Sequence, residues 1–219
     1  PQDREMIVVD RPGFAASEPE QCVGDIRLQA RALAPLLDAR PGQRVLLVGQ
    51  SYGAAIATVM ARARPGRVAG VVLLSSYLGE PGPTARWLIG LGSRFLGLIP
   101  RDLRNAVMEV AGAPAQMAHM RSALRGLRVP VHMVHGERDD FAPIAAARRL
   151  AGEARTRHPP RFDPVPGADH FLNDGPIEIL LGRLEAWLPV ARPPRTWPQW
   201  VKSGPLAGPG IGRVNLAAS

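Results

Sequence analysis

Cysteine is nearly absent from this chain, with Cys22 the only one in 219 residues. A lone thiol can close no intrachain disulfide, and no cysteine cluster is available to hold a metal. That usage fits a reducing compartment, so the expected location is the cytoplasm. Lysine is scarce too: Lys202 is the single lysine among 27 basic residues, and aromatic residues are only 5% of the chain. A nucleic-acid-binding protein gathers its basic side chains on one element, often beside aromatics. Here the arginines are scattered, and no nucleic-acid partner is expected. Acidic residues are missing beyond Glu185, where Arg192, Arg195, Lys202 and Arg213 carry half of the net charge of +8. Long apolar runs are lacking as well. The longest, Trp87 to Pro100, is broken by Arg94 and three glycines, so no stable membrane insertion is expected. Neither a signal peptide nor an internal repeat is visible.

What remains is ordinary globular composition, 46% hydrophobic and 21% charged, in a length that suits one sizeable domain. Met6–Val9 is a short apolar run ended by Asp10-Arg11-Pro12-Gly13 and reads as a strand entering a turn. Apolar residues recur at helical spacing from Glu18 to Ala39, and Pro41-Gly42 stops that helix. Arg44–Val48 is a continuous apolar strand, followed by Gly49-Gln50-Ser51-Tyr52-Gly53 and an alanine-rich helix to Arg64. Val68–Leu74 is the next strand. The alternation resumes with a strand at Val129–Val134, a helix at Ile144–Ala154, a strand at Arg161–Val165 and an amphipathic helix at Ile177–Leu188. Apolar strands alternating with helices imply an α/β fold, a mostly parallel sheet with helices on both faces. Between Tyr77 and Gly126 the alternation gives way to two or three helices, an excursion of the kind that covers a site. The expected organisation is therefore a core of residues 1–76 and 127–189, a helical cap at 77–126, and a loosely ordered Pro-, Gly- and Arg-rich tail at 190–219.

The chemistry centres on Ser51. Its G-x-S-x-G setting between a strand and a helix is that of a nucleophile elbow, a sharp turn that holds the serine in strained geometry and presents its hydroxyl. Gly49 and Gly53 are expected to be small because strand and helix close up there. Serine needs a base. Among five histidines, His119 falls in the helical excursion, His158 in a polar loop, His132 inside a strand and His135 at that strand's end. His170 lies in the loop after the last strand, on the edge where such a sheet places its reactive groups, and is the expected base. A carboxylate must orient the imidazole. Glu137, Asp139 and Asp140, after the strand that ends at His135, compete for that role.

The order Ser51, Asp139, His170 is similar to that of the α/β-hydrolase fold. Gly136-x-x-Asp139-x-x-x-Pro143 resembles that family's acid loop, and Pro166-Gly-Ala-Asp-His170 its histidine loop. Asp10-Arg-Pro-Gly-Phe-x-x-Ser17 resembles its D-x-x-G-x-x-S turn. The resemblance implies Asp139 as the acid, with Asp140 solvated or salt-bridged, and the Tyr52 backbone N–H as one oxyanion donor. It also implies about three strands ahead of Met6–Val9, the third ending in a His-Gly turn that gives the second donor. The only His-Gly pair here is His135-Gly136, after the serine. The expectation is that the sequence lacks its N-terminal strands, and that these 219 residues alone are less stable and weak in catalysis.

The function expected is a serine hydrolase cleaving a small or medium apolar carboxylic ester through an acyl-enzyme, without metal or organic cofactor. Hydrolysis of a C–C bond or amide, or peracid formation, stays open, as does a non-catalytic ligand-binding member. Trp87, Leu91, Phe95 and Leu98, at helical spacing in the cap, are expected to face inward, with Trp87 and Phe95 as substrate contacts.

Overall fold

A computed structural model describes residues 6–154, 156 and 159–172. The described strands are β1 (Val45–Gln50), β2 (Val68–Leu74), β3 (Val131–Gly136) and β4 (Arg161–Val165), in spatial order β1-β2-β3-β4. All three pairings are parallel. The helices are α1 (Ile26–Leu33), α2 (Tyr52–Ala63), α3 (Pro83–Arg94), α4 (Arg101–Arg125) and α5 (Ile144–Glu153), with a 3₁₀ segment at Ala34–Asp38 after α1. The last helix expected from the sequence, Ile177–Leu188, and the tail lie outside the described residues.

Register decides what the strands deliver to the site. Gln50 pairs with Leu74, Leu74 with Val134, and Gly136 with Val165. The C-terminal ends therefore stand level, and the segments carrying Ser51, Asp139 and His170 leave one edge of the sheet. Alternate residues share a face. Leu47, Val71, Leu73, Val131, Met133 and Phe162 enter the main core, with α2 and α5 packed on the strands. Val134 and Leu74 on the other face join Ala168 and Leu172 beneath the histidine loop. On that second face His132 is fully buried, its Nε2 2.8 Å from the Asp163 carboxylate.

Three sequence expectations change. Met6–Val9 forms no strand. Met6 and Val8 are largely exposed, and an apolar run becomes a strand only by pairing its N–H and C=O groups with a neighbour. The helix expected over Glu18–Ala39 begins only at Ile26, because Asp25 caps it, accepting from Arg27 N at 2.7 Å and Leu28 N at 3.3 Å. The Arg27 guanidinium and these amides hold the Asp25 carboxyl down at about 2. The helix tightens to 3₁₀ at Ala34 because Pro35 has no N–H for an α-helical bond.

The third change concerns α3, which with α4 fills the 77–126 excursion. Trp87, Leu91, Phe95 and Leu98 do not face inward: Trp87 is 65% and Leu98 83% exposed, and Leu91 and Phe95 are nearly half exposed. The helix instead buries its small residues, Ala85 and Gly92. A Cβ on Gly92 would stand 2.6 Å from Val107 of α4. Close approach of two helices selects the small-residue stripe, and the bulky one is left outside.

Candidate active site

Ser51 sits between β1 and α2 at φ 53° and ψ −120°, a backbone region costing a non-glycine residue about 1–3 kcal/mol. Its neighbours hold it there. Its N–H donates to Leu74 O at 2.9 Å, and its carbonyl accepts from Ala54 N and Tyr77 N, both at 3.2 Å. Gly49 explains how strand and helix can fold so sharply: a Cβ there would lie 2.4 Å from Gly53 O. Gly53 does not share that constraint. A Cβ on it meets nothing within 4 Å, so the expectation that both glycines are sterically required holds for Gly49 alone.

The acid and histidine loops are laced together. Glu137 N donates to Val165 O at 3.1 Å, Arg138 N to Ala168 O at 2.9 Å, and the Arg138 guanidinium Nε to Gly167 O at 2.8 Å. A side chain on Gly136 would collide with Asp169 O at 2.3 Å, so only glycine lets the loops approach this closely. The structure thereby brings Ser51, His170 and Asp139 together. His170 Nε2 is 3.0 Å from Ser51 Oγ, and its Nδ1 is 2.9 Å from Asp139 Oδ2. Both His170 and Asp139 are buried. With an acceptor carboxylate on Nδ1, the imidazole carries its proton there and presents a bare Nε2 to the serine hydroxyl.

Asp139 is held firmly. Its Oδ1 accepts from Ala142 N at 2.7 Å and Phe141 N at 3.1 Å. Burial pushes its carboxyl up, but hydrogen bonds from His135 and His170 and from the Ala142 amide outweigh that and hold it far below the usual carboxylate range. Of its competitors, Glu137 is exposed. Asp140 points away, its carboxylate accepting from Thr84 Oγ1 at 2.6 Å. Tyr52 opens α2 with its N–H at the helix N-terminus, where unpaired backbone donors favour negative charge.

Several surroundings were not visible in the sequence. The Phe141 ring lies 4.6 Å from the His170 ring, and Tyr77 stands 5.8 Å beyond it. Burial raises the Tyr77 phenol to about 12. Behind Tyr52, Arg11 clamps Glu109 of α4 bidentately at 2.8 and 2.9 Å. Gln29 joins them from α1, donating to the same carboxylate at 2.6 Å. The Tyr52 hydroxyl donates to Gly24 O, and the Arg11 guanidinium lies 5.7 Å from the Tyr52 ring. This is how the Asp10–Ser17 turn comes to lie beside the elbow. His119 is part of α4, and His158 lies outside the described residues. Among the described residues no three His, Cys, Asp or Glu side chains are grouped to hold a metal, and no helix is long and apolar enough to cross a membrane.

A parallel sheet with a strained strand–serine–helix elbow, and a histidine and an aspartate delivered from two later strand ends, defines a class of enzyme fold. A family model for the alpha/beta hydrolase fold matches residues 1–113, just over half of the chain. The chain belongs to the alpha/beta hydrolase fold family. It is 38% identical over 183 residues to 2-hydroxy-6-oxononadienedioate/2-hydroxy-6-oxononatrienedioate hydrolase 1 of Dechloromonas aromatica, covering 66% of this chain and 63% of that one. The corresponding hydrolase of Paraburkholderia xenovorans is 39% identical over the same length and coverage. The chain thus spans a little under two thirds of the length of these relatives. Among solved structures, the monoacylglycerol lipase of Paleococcus ferrophilus superposes with a TM-score of 0.60 at 19% identity, covering 81% of this chain and 80% of that one. A variant of the meta-cleavage product hydrolase of Pseudomonas fluorescens IP01 gives 0.55 at 17%, covering 81% and 76%. At such identities the likeness is one of fold.

Proposed function

We propose that this chain hydrolyses a bond at a carbonyl carbon, with Ser51 as nucleophile, His170 as general base and then acid, and Asp139 orienting the imidazole. The observation that carries this reading is the unbroken relay from Asp139 Oδ2 through His170 to Ser51 Oγ, with contacts of 2.9 and 3.0 Å. As Ser51 Oγ adds to the carbonyl, His170 Nε2 takes its proton, and the buried Asp139 carboxylate stabilises the imidazolium that forms. The Tyr52 N–H faces the developing oxyanion. The helices of residues 77–126 serve as the cover of the site.

The favoured bond is carbon–carbon, next to a ketone in a 2-hydroxy-6-oxo unsaturated dicarboxylate. The relatives at 38–39% identity carry that substrate in their names. A ketone offers no heteroatom to leave. The electron pair of the broken C–C bond must pass into the unsaturated chain, towards the carbonyl formed when the 2-hydroxy enol ketonises. The proton held by His170 completes the departing fragment, and water then releases the acyl group from Ser51. Ester cleavage uses the same groups and differs in the leaving atom, which is now oxygen. Turnover of 2-hydroxy-6-oxononadienedioate, followed by loss of its conjugated absorbance, is compared with turnover of p-nitrophenyl acetate. Preference for the first, abolished by Ser51→Ala, is the expected result. Ester turnover alone would return the substrate class to esters, and undiminished activity of Ser51→Ala would refute the nucleophile.

A further inference from the structure

The relay proposed above uses one histidine, yet a second one touches the same carboxylate. His135, the penultimate residue of β3, is 1% exposed. Its Nε2 lies 2.7 Å from Ala142 O and 3.1 Å from Asp139 Oδ2. Both neighbours are acceptors. The nitrogen must therefore carry a proton, shared between them with the shorter contact to the carbonyl. Asp139 and Ala142 are the two ends of one tight turn, closed from the other side by Ala142 N donating to Asp139 Oδ1. The His135 ring clips that turn shut. The Asp139 carboxylate is thus surrounded by two backbone amides on Oδ1 and two imidazoles on Oδ2. These four donors together hold it facing His170.

We propose that His135 is a positioning residue. Its Nε2–H holds Asp139 Oδ2 in line with His170 Nδ1 and fixes the Asp139–Ala142 turn that carries the acid. The proposal rests on the Ser51–His170–Asp139 reading. Without His135, Oδ2 keeps a single partner and the turn loses its clip, so the imidazole is less firmly oriented while the binding surface is untouched. A role confined to packing makes a different demand: any side chain of similar volume should then suffice.

The test compares His135→Met, which keeps volume without a donor, with His135→Gln, whose amide N–H2 reaches the position of Nε2. Both are assayed with p-nitrophenyl acetate, or with the dienedioate if that is the better substrate, beside Asp139→Asn. Loss of one hydrogen bond to a buried charged group predicts a kcat about ten- to a hundred-fold lower for His135→Met, with KM little changed. His135→Gln should recover most of it. Equal loss in both variants, or no loss in His135→Met while Asp139→Asn is inactive, overturns the proposal and leaves the triad standing. Full activity of Asp139→Asn removes the triad and this inference with it. Should His135→Met fail to fold, nitrogen-resolved NMR of the imidazoles gives the answer. The His135 Nε2–H and His170 Nδ1–H resonances should both move when Asp139 becomes Asn, and a stationary His135 signal overturns the proposal.

Discussion

Replacing Asp139 by Asn tests the relay with almost no change of shape. The carboxylate accepts on both oxygens: from Phe141 N and Ala142 N on Oδ1, and from His170 Nδ1 on Oδ2, with His135 Nε2 3.1 Å from Oδ2. An amide has one oxygen and one N–H2. The backbone amides cannot give up their protons, whereas an imidazole can move its own to the other nitrogen. The amide therefore turns its oxygen to Phe141 and Ala142 and its N–H2 to His170. His170 answers by taking the opposite tautomer, with a bare Nδ1 and a proton on Nε2, 3.0 Å from Ser51 Oγ. A protonated Nε2 cannot accept the serine proton. In a serine protease the same exchange lowers kcat about 10⁴-fold through the wrong tautomer, and a loss of that order is expected here, with KM affected far less. Fluorophosphonate labelling of Ser51 should slow in parallel, since it needs the same base. A variant within ten-fold of the parent in turnover and labelling would refute this reasoning.

The same carboxylate gives stability a pH signature. Its folded pKa is depressed, so its contribution is fully present above the unfolded value of about 4 and is lost as pH falls through the folded value. The thermal midpoint of the parent should therefore drop more steeply below about pH 4 than that of Asp139→Asn, and parallel curves would contradict this. The elbow glycines should respond with opposite signs in urea denaturation. Gly49→Ala drives a methyl into Gly53 O at 2.4 Å and should cost about 3 kcal/mol or more, while Gly53→Ala, in open space on α2, should gain about 0.5–1 kcal/mol. Arg11→Ala leaves the buried Glu109 carboxylate with Gln29 as its remaining side-chain donor. It should cost about 3 kcal/mol, and a loss below about 1 kcal/mol would show that Gln29 suffices. Trp87→Ala and Phe95→Ala remove exposed surface and should move stability by less than about 0.5 kcal/mol. They should also leave the chain-length profile on p-nitrophenyl esters unchanged, and a shifted profile would return these residues to the substrate site.

What the sequence disclosed and what it concealed divide along a physical line. The elbow was legible because its constraint is local: Gly49, Ser51 and the strand and helix that flank them specify the turn within a few residues. His170 was legible by position, since a parallel sheet sends every strand to the same edge and His170 follows the last strand in the described chain. Residues whose meaning depends on a distant partner were not legible. Met6–Val9 carries the composition of a strand, but composition supplies no neighbour. On α3 both the stripe of Trp87, Leu91 and Phe95 and the stripe of Ala85 and Gly92 have helical spacing, so periodicity cannot choose the buried one. Val107, more than ten residues away on α4, makes that choice by coming close enough to require glycine at position 92. His135 is the clearest instance. In sequence it merely ends a strand four residues before Asp139, a spacing that in extended chain would carry two side chains well over 10 Å apart. The turn from Gly136 to Asp139, where Asp139 N donates to Gly136 O at 3.4 Å, folds that distance back, and the histidine at the strand's end meets the carboxylate at 3.1 Å. Sequence spacing is no guide there because the turn, not the strand, sets the separation. A histidine just ahead of a short acid loop is thus a residue to examine as a partner of the acid before it is assigned to the core.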